Sequence, residues 1–307
     1  MRHVFLINPA AGKRNAAPFL IAQIEQVFAD CDYTIVLSRG PGDCAIQAAA
    51  AAASGDPVRL YACGGDGTLN EVIRGAVSYS NASVTVIPTG SGNDFIRCFS
   101  DPDAFRDLKR LRCCDEASFD LIRAGSDWAI NVCSIGFDAR VGTEISRYKR
   151  LPFLTGSGAY VLSILVNVLR GTHAPYAVEL DGRRFEAPLT MICVCNGRYY
   201  GGGFNPVPDA EPDDGFLDVL LVAPVSRLTV ATVIGHYKRG EYRRFPHLIR
   251  HFQCQSVRIW CQAPSSVNLD GELRTQKEVC FQLVPQKIRF FYPSGLTYRA
   301  KHPLKQA

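Results

Sequence analysis

No stretch of this 307-residue sequence reads as a membrane span. The longest apolar run, FLTGSGAYVLSILVNVL (153–169), is broken by Thr155, three small residues and Asn167, and its length is marginal for a bilayer. A buried or interfacial helix is expected there. The opening MRHVFLINP has no apolar signal region with a cleavage site, so a cytoplasmic setting is expected. A strong charge of either sign is also missing. The formal net charge of +5 permits attraction to an anionic surface but gives no ground for a nucleic-acid partner. Cysteine is plentiful, yet no pair of CxxC elements exists, and neither Cys113-Cys114 nor Cys193-Val194-Cys195 has a partner at zinc spacing. Cys63, Cys133, Cys193, Cys195 and Cys261 lie in strand-like apolar runs and are expected to act as small buried hydrophobes. The common nucleotide signatures are absent too: there is no GxxxxGK[ST], no GxGxxG after a strand, and neither HRD nor DFG.

What is present is a repeated alternation. HVFLI (3–7), YTIVL (33–37), VRLYAC (58–63) and SVTVI (83–87) are β-branched runs, each followed by a helical pattern, the third helix starting near Leu69. After these runs come NPAAG, SRGPGD, GGDGT and PTGSGND, beginning at residues 8, 38, 64 and 88. Those intervals suit one strand and one returning helix, which places all four loops at the carboxyl ends of parallel strands, where open α/β sheets bind ligands. From about residue 118 the texture changes. FDLIRA-GSD-WAINVCSIG and YAVEL-DG-RRFEA read as hairpins, and VRIWCQ, SVNL-DG-ELRT, EVCFQLV and IRFFYP as further strands. Helical segments are expected near 141–170 and 226–238. The expected fold class is α/β followed by β: a doubly wound parallel-sheet domain, then a mostly antiparallel β-sandwich, with a boundary near Arg123.

Glycine-rich strand-to-helix turns present backbone N–H groups to phosphate oxygens. Thr68-x-x-Glu71 and Ser91-x-x-Asp94 each have the spacing of a capping box, so these residues could fix helix starts rather than touch a ligand. Two such loops on adjacent strands, with Asn8 and Gly12 at a third, point to a phosphate-rich ligand. Asp66 would repel phosphate unless a divalent cation lay between them, which suggests Mg²⁺, a nucleotide and phosphoryl transfer.

GGDGTLNEV, PTGSGNDF, NGRYYGGGFNPVPDAEPDDGFLDV (196–219) and VNLDGE (267–272) together resemble the soluble, bacterial-type diacylglycerol kinase family, related to sphingosine and ceramide kinases. The resemblance implies an ATP-binding domain over 1–123, completed by the tail 291–307, and a lipid-substrate domain over 124–290, with the active cleft between them. By motif match it implies ATP contacts at Asn8, Ser38, Gly64, Gly65, Asp66, Gly67, Thr68, Leu69, Asn70 and Ser91. It further implies a structural Mg²⁺ held by Asp214 with the carbonyls of Glu211 and Phe216, and catalysis by Glu272 as general base together with Asp66. On residues alone, Glu272 could equally be a hairpin-edge glutamate and Asp213, Asp214 and Asp218 a solvated acidic turn. A soluble-substrate kinase of the NAD kinase type and a non-catalytic nucleotide- or lipid-binding module stay open beside the lipid kinase. RYKRLPFL (147–154) and HYKRGEYRRF (236–245) interleave basic and aromatic residues as interfacial segments do, giving an expectation of peripheral contact with the anionic cytoplasmic face of a membrane. The lipid, and whether the chain forms a homodimer, are not written in the sequence.

Overall fold

The protein is described from a computed structural model covering residues 1–12, 14–136, 139 and 173–299. The chain divides into two compact units, one formed by Met1–Leu121 with Val284–Arg299 and one by Ile122–Leu283.

In the first unit, β1 (Arg2–Ile7), β2 (Tyr33–Leu37), β3 (Val58–Gly64) and β4 (Ala82–Pro88) alternate with α1 (Ala17–Val27), α2 (Asp43–Ala52) and α3 (Asp66–Ala76). Two 3₁₀ turns, Phe95–Cys98 and Pro102–Arg106, and the short α4 (Leu108–Arg112) follow β4. The strands pair in parallel in the order β2-β1-β3-β4, and the last part of β14 (Glu272–Pro293) adds in parallel to β4 through Arg289 and Phe290. β3 and β4 are buried along almost their whole length, as strands covered on both faces must be. Edge strand β2 is only partly covered. The core is aromatic: Phe5 stacks on Tyr61 at 4.2 Å, and Phe290 meets Phe95 at 5.3 Å and Phe119 at 5.6 Å between ring centroids.

The second unit is antiparallel. β7 (Val132–Gly136), β10 (Met191–Cys195), β11 (Leu217–Val222) and β12 (Ile249–Cys254) lie side by side in that order. β13 (Ser256–Leu269) serves two neighbours: its end at Val267–Leu269 pairs with β7, its start at Val257–Cys261 with β8 (Ala174–Leu180), and β9 (Arg183–Leu189) lies outside β8. The pairing of β13 with β14 shifts register between Trp260 and Ser265, so β13 turns a corner between its β8-paired start and its β7-paired end within one continuous sheet. Ile192, Val219, Val257 and Phe281 belong to the apolar core on one side. Cys193, Cys195, Leu220 and Tyr237 belong to a second core, where α5 (Arg227–Lys238) packs.

The expected DG hairpins form: Asp181-Gly182 joins β8 to β9 and Asp270-Gly271 joins β13 to β14, all four residues at positive φ. β5 (Cys114–Ala124) pairs with β6 (Asp127–Ala129) in the first expected hairpin, but the chain breaks at Ile130-Asn131 before β7 instead of continuing as one strand. The runs expected as separate strands, VRIWCQ with SVNL and EVCFQLV with IRFFYP, are continuous in β13 and β14. The helical expectation for 141–170 lies outside the described residues. All twelve cysteines are free, and Cys63, Cys133, Cys193 and Cys195 are fully buried, while Cys261 is half-buried.

Candidate functional site

The four loops do follow β1 to β4, and they interlock. Asn8 folds its own turn by accepting the Ala10 N–H at 3.0 Å, and its amide donates to Thr68 Oγ1 at 3.1 Å. Ser38 N–H donates to the Ile7 carbonyl, and its hydroxyl to the Gly40 carbonyl at 3.3 Å. The Gly64 carbonyl accepts from both Thr89 and Gly90, and Asp66 N–H donates to Gly92 at 2.9 Å. A Cβ on Gly65 would lie 2.5 Å from the Gly92 carbonyl, and one on Gly90 would lie 2.5 Å from the Gly65 backbone. These two glycines are therefore required by loop meeting loop, a constraint that acts before any ligand arrives. Gly67 differs: it is exposed, with nothing within 4 Å of where its side chain would start. It is the open face of the turn at the N-terminus of α3, with exposed Ser91 at the tip of the fourth loop. Leu69 and Asn70, by contrast, are buried on α3.

Both expected capping boxes are corrected. α3 begins at Asp66, not Leu69, so Thr68 and Glu71 already lie inside it, and Gly65 at the cap position offers no side chain. The Glu71 carboxylate instead accepts the N–H groups of Gly42 at 2.9 Å and Cys44 at 3.2 Å, capping the start of α2 from a neighbouring helix. Asp94 does not cap through its side chain; its N–H and that of Phe95 donate to the Asp66 carboxylate, Asp94 at 2.9 Å and Phe95 at 3.3 Å. That contact gives an aspartate between glycines a reason independent of any cation: it draws the fourth loop onto the third. Burial, opposed by those N–H groups, pushes the Asp66 carboxyl up to about 6.

Glu272 opens β14 directly after the Asp270-Gly271 turn, paired with Leu269. Arg274 Nη2 donates to its Oε2 at 2.7 Å, and Arg274 Nε lies 3.8 Å from Asp127. The turn is anchored by a residue that the sequence reading treated only as turn-forming. The Asp270 carboxylate accepts N–H groups from Ile130 at 2.6 Å, Asn131 at 3.1 Å and Val132 at 2.8 Å, so it closes the break between β6 and β7. The same break is held from the NGRYYGGG side. Asn196 Nδ2 donates to the Ile130 carbonyl at 2.7 Å, the Asn196 and Gly197 N–H groups both donate to the Asn131 carbonyl, and Asn131 Nδ2 donates to the Tyr199 carbonyl. Two separated motifs thus converge on one two-residue break. Buried polar residues in the break and in one motif, Asn131 and Asn196, were the available signal.

The acidic stretch separates into different roles. Asp214 accepts the Phe216 N–H at 3.0 Å in a turn completed by Gly215 at φ 81°, whose carbonyl accepts from Gln255. Asp218 is buried on β11 and its Oδ1 accepts from His251 Nε2 at 2.7 Å, so it is no part of a solvated turn. The expected cation set is the Asp214 carboxylate with the carbonyls of Glu211 and Phe216. That all-oxygen set suits a hard divalent ion. Among the described residues no group of three or more His, Cys, Asp or Glu could hold a metal, so such an ion would depend on backbone oxygens and water.

Of the two basic-aromatic segments, RYKRLPFL lies outside the described residues. In HYKRGEYRRF, Arg239 and Arg244 pair with Glu241 and Arg243 with Asp209. No helix among the described residues is long and apolar enough to cross a membrane.

Comparison with known proteins agrees with this anatomy. Residues 2–124 match the diacylglycerol kinase catalytic domain, and residues 131–292, more than half of the chain, match the YegS C-terminal NAD kinase beta sandwich-like domain. A protein of Shewanella frigidimarina named "Probable lipid kinase YegS-like" is 28% identical over 240 residues, 76% of each chain. The fold is shared with a "putative diacylglycerol kinase" of Bacillus anthracis, at a TM-score of 0.76 and 23% identity over 96% of this chain and 98% of that one. A second diacylglycerol kinase structure from the same organism gives 0.70 at 20% identity over 95% and 97%. An α/β catalytic domain followed by a β-sandwich-like domain, with both family matches in that order, makes this chain a member of the YegS and diacylglycerol kinase family of lipid kinases.

Proposed function

We propose that the protein transfers the γ-phosphate of ATP, as its Mg²⁺ complex, to the hydroxyl of diacylglycerol or a closely similar lipid, giving phosphatidic acid or its analogue. The observation that carries the nucleotide half is the interlocked pair of loops at Gly64–Thr68 and Thr89–Asp94, which leaves Gly67 and the start of α3 open. Backbone N–H groups at such a helix start hold phosphate oxygens, and Asn8, Ser38 and Ser91 supply hydroxyl and amide groups around them, while buried Thr68 holds the Asn8 amide from behind. Asp66 serves transfer by holding the fourth loop in place. The metal travelling with the nucleotide would offset charge on the transferred phosphoryl group. A second, structural cation would sit on Asp214 with the carbonyls of Glu211 and Phe216.

For the lipid half, Glu272 takes the proton of the attacking hydroxyl. Phosphoryl transfer asks little covalent chemistry of the protein, so a carboxylate held in hydrogen-bond reach of the nucleophile is sufficient. Arg274 orients that carboxylate, and Asp270 fixes the turn that carries it. The enzyme would work from the cytoplasm at the membrane surface where its substrate resides. We expect labelled ATP, Mg²⁺ and a panel of lipids to yield a labelled phospholipid, with turnover reduced at least ~100-fold in Glu272→Gln. Transfer to a water-soluble alcohol with no lipid product would replace this reading with a soluble-substrate kinase. Near-normal lipid turnover in Glu272→Gln would remove Glu272 as the base.

A further inference from the structure

Most cations in 236–252 already have partners. Arg239 and Arg244 lie on Glu241 at 2.9 and 3.4 Å, and Lys238 sits over the Phe204 ring at 5.4 Å. Arg250 makes no ion pair among the described residues. Its guanidinium lies over Phe252, 4.9 Å from the ring centre. Arg243 repeats the arrangement over Tyr242 at 5.0 Å, and the nearly buried Asp209 holds its Nη1 at 2.9 Å. Arg243, Arg250 and both rings line one groove of about 430 Å³, with His251 beside them. His251 is itself fixed, donating to buried Asp218 at 2.7 Å while its Nδ1 faces the Tyr242 hydroxyl at 3.4 Å.

Two guanidinium groups on one groove, each held over a ring, are forks restrained before a ligand binds. A cation over a ring keeps its N–H donors for other partners, and Asp209 takes only one nitrogen of Arg243. A carboxylate has two oxygens and fills one fork. A phosphomonoester has three terminal oxygens and close to two negative charges, so it can serve both. We propose that this groove is a binding site for a phosphomonoester dianion, a group carried at the head of a phosphorylated lipid and present also as free phosphate. It uses no residue of the four strand-to-helix loops or of the Glu272 hairpin, and it gives the HYKRGEYRRF segment a specific ligand rather than a diffuse attraction to anionic surface.

The test uses the full chain. Binding is measured by sedimentation with phosphatidylcholine vesicles that contain phosphatidic acid, phosphatidylglycerol or neither, and by calorimetric titration with inorganic phosphate. Phosphatidic acid should bind better than phosphatidylglycerol, a diester, and Arg250→Gln should weaken binding about tenfold. Arg250→Lys, which keeps the charge and loses the fork, should also bind less tightly than the wild type. Loss confined to the vesicles identifies the lipid head group as the source, and loss confined to phosphate titration identifies the free ion. Both support the site. Unchanged binding of both probes in Arg250→Gln, equal retention of the two anionic lipids, or wild-type binding by Arg250→Lys would overturn it. Arg250 is exposed, so thermal melts of the variants should superimpose on the wild type and separate lost binding from lost fold.

Discussion

Asp66 shows what a single carboxylate does in this fold. Its folded value of about 6 lies above the ordinary 3.8, because burial outweighs the N–H groups of Asp94 and Phe95. A carboxyl raised on folding binds its proton more tightly in the native state, so its contribution to stability is full below the ordinary value and is lost as pH rises through about 6. The whole loss is about 3 kcal/mol. We predict that the unfolding free energies of wild type and Asp66→Asn, measured in urea, diverge in favour of the variant by that order between pH 4 and 7. Other titrating groups cancel in the difference, so parallel curves would refute the assignment. At neutral pH the protein carries an ionised Asp66 at a cost in stability, as groups retained for function commonly do.

The hairpin that ends in Glu272 is the element where position matters most. Asp270→Ala removes the acceptor of three N–H groups, and the Ile130-Asn131 break loses its closure. Leaving buried N–H groups unpaired costs about 1–3 kcal/mol each, less whatever water recovers. We expect lipid-kinase kcat to fall well over tenfold with the KM for ATP nearly unchanged, and Asp270→Asn to recover part of the loss. A matched rise in the KM for ATP would show general unfolding instead. This element also shows which features a sequence carries by itself. Asp181-Gly182 and Asp270-Gly271 were readable because few residues adopt positive φ twice in succession. The βα alternation was readable because strands covered on both faces are apolar throughout. The helix starts were misread because Glu71 and Asp94 find partners 27 to 29 residues away, which local spacing cannot report. Glu272 was singled out through its motif, whereas the anchoring contact of Asp270 depends on a break some 140 residues earlier. The corner in β13 depends on two neighbouring strands and leaves only a weak mark, Pro264 between Trp260 and Ser265.

At the scale of the whole molecule, the first unit draws on both ends of the described chain. Phe290 is fully buried against Phe95, Phe99, Phe105 and Phe119. Phe290→Ala should destabilise that unit by about 3–5 kcal/mol. Hydrogen exchange should then quicken across β3 and β4 while β8 and β9 keep their protection. Equal loosening of both sets would mean that the two units unfold as one. The contribution of Val284–Arg299 also constrains synthesis. A ribosome delivers the first 121 residues long before the strand that completes their sheet, whereas all of Ile122–Leu283 emerges in a single block. The nascent α/β unit must therefore wait with one flank of β4 uncovered, exposed to chaperones and proteases, and a message cut short before codon 284 would leave it permanently unfinished.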